Sequence, residues 1–273
     1  MKKSIISNTV IFMTSLYFCT NNAESAGNEI YREKTYALII SGISKDTQDK
    51  SIRYNAVIGL QKFLLDNAIV TFEQIKILTA EAADGKENQY ISKFENINKV
   101  INNFQSKINP EDRFIFYYTG QANVIGEQLR INLPDTDITQ EQLSGLIKNI
   151  KSSSMLIVLD CPASGLIIKE LSGAGRIIIC SCTAEQRFSI KFSEYFIPAL
   201  SDIETDIDKN GKISILEAFI VTTKNVQEWY QQKQLIITET PVLDDNGDSK
   251  ASKEPWRYMI DVPDGKMASK YEF

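Results

Sequence analysis

Four near-continuous apolar runs recur along the chain: TYALIISGI (35–43), RFIFYYTG (113–120), MLIVLD (155–160) and RIIICSC (176–182). Unbroken runs of this length suit strands covered on both faces, as in a parallel sheet sandwiched between helices. The segments between them carry helical spacing. Ile52, Ala56, Leu60, Phe63 and Leu64 fall on one helical face, as do Phe94, Ile97, Val100, Ile101 and Phe104. A shorter strand is expected at 75–80. A helix is expected to start at Thr139, with Gln142 three residues on, and further helices near 191–200 and 214–232. The alternation predicts an α/β fold, a mostly parallel central sheet flanked by helices on both faces. With 273 residues, 43 % of them hydrophobic, one such domain has a large core and a second would be cramped.

A net charge of -5 without a basic stripe argues against nucleic acid or an anionic membrane surface as partner. The chain contains no histidine. That removes the commonest general base, the commonest zinc ligand and the usual partner of a serine or cysteine nucleophile. Lys2 and Lys3, an apolar run from Ile5 to Phe18 and a small, polar stretch after it have the layout of a secretory signal peptide over residues 1–26. Cys19 after Leu16-Tyr17-Phe18 also resembles a lipid-attachment box with bulky neighbours, and an anchoring or buried helix is the plainer alternative. The expectation is a secreted or periplasmic protein, with lipid anchoring through Cys19 as an option and no transmembrane segment in the mature chain. Cys161, Cys180 and Cys182 then remain. An odd number implies no disulfide framework, the spacing is not that of a zinc site, and core packing suits Cys180 and Cys182.

In a parallel sheet the functional site lies beyond the carboxyl ends of the strands, which points to Gly42, Gly120-Gln121, Asp160–Gly165 and Ser181–Gln186. The order of elements, with FIFYYTGQ and LIVLDCPASG at the ends of two consecutive strands, resembles the caspase/legumain superfamily of cysteine peptidases. It is most similar to bacterial secreted proteins of the legumain type, over residues 34–250. The resemblance implies a caspase-like three-layer fold. It also implies a catalytic histidine in a His-Gly pair after the third strand and a catalytic cysteine after the fourth. Here Gln121-Ala122 stands at the His-Gly pair and Pro162 at the nucleophile, with Cys161 one residue early. Successive residues of an extended chain point to opposite sides, so the Cys161 thiol should aim away from the site unless a bulge re-aims it. A glutamine amide has no useful proton affinity. An unactivated thiol is mostly protonated at neutral pH, and Asp160 or Glu185 as a substitute partner would raise its pKa further.

Residues 206–217, DIDKNGKISILE, fit the EF-hand calcium loop at every ligand position. Asp206, Asp208 and Asn210 would offer side-chain oxygens and Lys212 its carbonyl. Ser214 would bind directly or through water, and Glu217 in a bidentate manner. A turn that caps the next helix is the alternative, since the segment also recurs in the legumain-like proteins. Asp244, Asn246 and Asp248 form another acidic cluster, read equally as a second cation site or as a solvated turn. Residues 251–273 read as a C-terminal tail.

These features combine into a pseudopeptidase that acts by binding a peptide or protein partner, in a cleft built from Gly42, Gln121, Asp160, Pro162, Ser164 and Ser181, with calcium bracing the C-terminal helices. An active legumain-type endopeptidase with Cys161 as displaced nucleophile is the first alternative, and a calcium-stabilised structural module the second.

Overall fold

β1 (Thr35–Ser41) is buried along its whole length, which is why its sequence is continuously apolar. It leads to α1 (Thr47–Asp66), β2 (Ile75–Thr79), β3 (Gln89–Ile91) and α2 (Phe94–Gln105). β4 (Arg113–Thr119) is followed by three short strands, β5 (Ala122–Ile125), β6 (Gln128–Ile131) and β7 (Ile138–Thr139), and by α3 (Gln140–Lys148). Then come β8 (Ser154–Asp160), α4 (Ile168–Leu171), β9 (Arg176–Cys180), α5 (Phe192–Ala199), α6 (Ile215–Gln232) and β10 (Val242–Asp244). The structure is a computed structural model that describes residues 32–81, 89–188, 190–257 and 264–273. The segment read as a signal peptide, with Cys19, lies outside the described residues.

Seven strands form one sheet in the order β10-β9-β8-β4-β1-β2-β3, parallel except for β10 at the edge. The two-residue period sorts the apolar runs into two cores. Leu38, Ile40, Phe116, Tyr118, Ile157 and Leu159 pack with α2, α3 and α4. Ala37, Ile39, Tyr117, Leu156 and Val158 pack with α1, α5 and α6 on the other face. This is the three-layer α/β architecture that the alternation predicts. Among the described residues no helix is long and apolar enough to cross a membrane.

The differences are local. α1 begins five residues before its apolar stripe, because Asp46 caps it by accepting from the Asp49 N–H at 2.8 Å. At Thr139 the expected capping box closes, with Gln142 Oε1 accepting from the Thr139 N–H at 2.9 Å. β5, β6 and β7 make a separate small sheet that the apolar pattern does not predict. Its hairpin turns on Gly126, at φ +65°, within a two-residue connection. Strands of four residues or fewer carry too little alternation to stand out. Of the segment read as a tail, residues 264–273 lie against the domain: Tyr271 is buried, and its carbonyl accepts from the Ile215 N–H at 2.9 Å.

Candidate functional site

Asp160, the last residue of β8, shares a face with Leu156 and Val158 and pairs in register with Thr119. Thr119 Oγ1 donates to Asp160 Oδ2 at 2.8 Å and accepts from Arg53 Nη1 at 2.9 Å. Arg53 is only 3 % exposed. Its guanidinium grips Asp49, one turn earlier on α1, with Nε to Oδ2 at 3.0 Å and Nη2 to Oδ1 at 3.0 Å. Asp49 Oδ2 also accepts from Gln121 Nε2 at 3.0 Å. Gln121 is thereby tied to Asp160 through three intervening side chains. Burial pushes Asp49 up, but the Lys45 N–H, Arg53 and Gln121 outweigh it and hold the carboxyl below the ordinary range. At Asp160 burial wins over Arg53 and Thr119, so its pKa is raised. Asp160 Oδ1 is buried without a hydrogen-bond partner among the described residues.

Gly42 is required by close approach. A Cβ there would lie 2.2 Å from the Tyr118 hydroxyl, which donates to the Gln121 carbonyl at 2.8 Å. Gly42 also lines an open cleft of about 820 Å³ at the carboxyl ends of β1 and β2, together with Lys50, Tyr54, Thr79, Glu81 and Pro134. Lys50 and Glu81 pair across its wall at 2.6 Å.

The turn after β8 is stitched to the segment after β9. Ser181 Oγ bridges the Cys161 backbone, accepting from its N–H and donating to its carbonyl, both at 3.2 Å. Ser164 Oγ accepts from the Cys182 N–H at 3.2 Å. Both hydroxyls belong to residues that are 0 % exposed, and Pro162 between them is buried. Ala163 is held at φ +55°, where a side chain is strained, with its N–H donating to the Gln186 carbonyl at 2.8 Å. Cys161 follows the period of Ile157 and Leu159 into the core beneath α2 and α3, on the face opposite Asp160. Its thiol is fully buried, and burial, then Cys182 and Asp160, push its pKa well up. Cys180 and Cys182 are likewise buried and free.

In the 206–217 loop, carboxylate oxygens of Asp206, Asp208 and Glu217 lie within 4.8 Å of one another. Gly211 at φ +86° makes the tight turn, and its N–H donates to Asp206 Oδ2 at 2.9 Å. Asn210 Oδ1 is turned back onto the Lys212 N–H at 2.8 Å. Ser214 and Glu217 also form the capping box of α6, with the Ser214 N–H donating to Glu217 Oε2 at 2.8 Å and the Glu217 N–H to Ser214 Oγ at 3.2 Å. Burial raises Glu217, but donors at Ser214, Asp208 and Ile207 prevail and hold it low. The donor set therefore fits a hard cation: three ionisable carboxylates converge, with an amide, a hydroxyl and a carbonyl in the same loop. The same residues start the helix.

Asp244 ends β10 and is fully buried, while Asn246 and Asp248 are exposed. Asp245, its neighbour, accepts from the N–H groups of Gly265, Met267 and Ala268 at 2.8, 2.7 and 2.7 Å. Asp264 joins them, with Oδ1 accepting from the Asp245 N–H at 3.2 Å. Burial and the charges of Asp244, Asp245 and Asp248 push Asp264 up to about 7. Glu239, which no sequence motif explains, accepts from the Lys191 and Phe192 N–H groups at 2.7 and 2.8 Å and so caps α5.

Sequence reasoning missed Asp49, Arg53, Thr119, Glu239 and Asp264. One signal was present: Arg53 sits in the apolar stripe of α1 with Ala56, Val57, Leu60 and Leu64, and a cation in such a stripe needs a buried partner. No family model and no curated protein matches the chain.

Proposed function

We propose that this chain is a caspase/legumain-like pseudopeptidase that binds a peptide or protein segment in the cleft beside Gly42. One observation carries the reading. Cys161 and Gln121 act on opposite faces of the sheet: the thiol lies in the core under α2 and α3, and the amide is fastened to Asp49 of α1. A thiol attack needs a thiolate and a nearby proton acceptor. Cys161 is buried with a raised pKa, and Gln121 offers an amide where the family uses imidazole. The cleft of about 820 Å³, with the exposed Tyr54 and the Lys50–Glu81 pair, has the size and mixed polarity for a short peptide stretch.

The test is alkylation together with hydrolysis. In the native protein Cys161 should react with iodoacetamide far more slowly than a free thiol, and peptides containing Asn or Asp should stay intact. Fast labelling of Cys161, with hydrolysis abolished in Cys161→Ala, would establish the displaced-nucleophile endopeptidase instead. On the binding side, Tyr54→Ala should weaken retention of peptides selected from a random library on the wild-type protein.

We further assign calcium to the 206–217 loop, where it would bind through Asp206, Asp208 and Glu217, with Asn210, Ser214 and the Lys212 carbonyl completing a hard-oxygen set. Calcium there would brace α6. Calorimetric titration should give heat and a rise in melting temperature, both lost in Glu217→Gln; a silent titration of wild type removes the metal. The amino-terminal Lys-Lys and the apolar run after it support binding outside the cytoplasm.

A further inference from the structure

α6 ends in a turn that throws apolar side chains into solvent. The Leu235 N–H donates to the Tyr230 carbonyl and the Gln234 N–H to the Gln231 carbonyl, both at 3.0 Å, the paired bonds of a Schellman cap. Gln234 stands at φ +54°, a strained position that glycine usually fills. Leu235, Ile236 and Ile237 follow, 53, 86 and 45 % exposed. Among the described residues they are the only three consecutive exposed large apolar side chains. A contiguous apolar patch of this kind marks a contact surface.

The turn is held firmly at its base. The Tyr230 and Thr238 hydroxyls bond at 3.1 Å, Glu239 takes the Lys191 and Phe192 N–H groups, and Gln186 Nε2 donates to Thr240 Oγ1 at 3.0 Å. The loop between Gln186 and Lys191 leaves the same anchor and carries Phe188, 63 % exposed. Two apolar tips therefore share one base. Beside it Trp229 is half-buried, with Lys191 Nζ 5.2 Å from its ring centre. The nearby acids are engaged: Glu194 with Lys191, Glu228 with Lys224, Glu185 with the Thr183 side chain. Arg187 and Lys233 are exposed and form no salt bridge among the described residues. Protruding aliphatics, an indole at their base and free cations around them match the order of a bilayer interface, with acyl chains inside and phosphates outside.

We infer that Leu235, Ile236, Ile237 and Phe188 form a docking tip that inserts reversibly into the interface of a phosphatidylcholine-type bilayer, with Arg187 and Lys233 at the phosphates. The net charge of -5 gives no long-range pull toward an anionic surface, so apolar contact drives the insertion. None of these residues lines the cleft beside Gly42, which docking leaves free.

The test is hydrogen exchange of the full chain with and without phosphatidylcholine vesicles, read segment by segment. Amides 235–238 should slow about tenfold with vesicles, while those of α2 stay unchanged. The slowing should vanish in Ile236→Asp, whose exposed position leaves the fold intact, and persist in Ile236→Leu. Arg187→Gln combined with Lys233→Gln should raise the lipid concentration for half-protection about fivefold. Vesicle binding without slowing at 235–238 would mean that the amino-terminal apolar run alone holds the lipid, and it overturns the inference. Equal slowing in Ile236→Asp does the same. So does slowing that grows with protein concentration in the absence of vesicles, which would assign the tip to a second copy of the chain.

Discussion

Asp49 touches more of the candidate site than any residue the motifs singled out. It receives Arg53, Gln121 and the Lys45 N–H, and through Arg53 and Thr119 it communicates with Asp160. Its carboxyl titrates below the ordinary carboxylate value in the folded chain. The stabilisation it supplies is therefore complete above about pH 4 and disappears as the pH falls through that lower folded value. Asp49→Asn should flatten the acid limb of the melting-temperature profile below pH ~4. At neutral pH it should cost about 3 kcal/mol, because Arg53 keeps its burial and loses one of the two carboxylates beside it. A profile parallel to wild type would show that the bond between Asp49 and Arg53 contributes nothing measurable.

At the scale of elements, single caps decide where helices begin. α6 starts where Ser214 and Glu217 close their box, and Glu217 also belongs to the carboxylate group that could hold a metal ion, so one local spacing serves both readings. α5 has no capping side chain of its own; Glu239, on the segment after α6, supplies the acceptor. Glu239→Ala leaves two N–H groups unpaired at a buried helix start and should cost about 2 kcal/mol. Hydrogen exchange should show the loss concentrated in residues 192–199, where α5 lies. Equal loss across the sheet would point to a packing defect and not to a missing cap.

At the scale of the whole molecule, residues 264–273 close the domain. Tyr271 lies under the Arg113 guanidinium, 5.0 Å from ring centre to charge, and Phe273 packs edge-on against Phe63 of α1 with centroids 5.2 Å apart. Tyr271→Ala should destabilise the protein by about 3–4 kcal/mol, measured by urea denaturation. A loss under about 1 kcal/mol would mean these residues are only loosely attached. The sequence by itself determined the layers and most strands, because burial on both faces writes a continuous apolar run into adjacent residues and amphipathic helices write their own period. It also determined the 206–217 loop, whose donors all lie within twelve neighbouring positions. It was silent on the small sheet, on Glu239 as a cap and on the chain from Gln121 to Asp160. Those depend on side chains that meet only after the chain has closed: Arg53 meets Thr119 from 66 positions away, and Asp245 meets Gly265 from 20. Short-range spacing carries no trace of such contacts, so the tertiary structure alone decided them, whereas the direction of Cys161 follows from the two-residue period of β8.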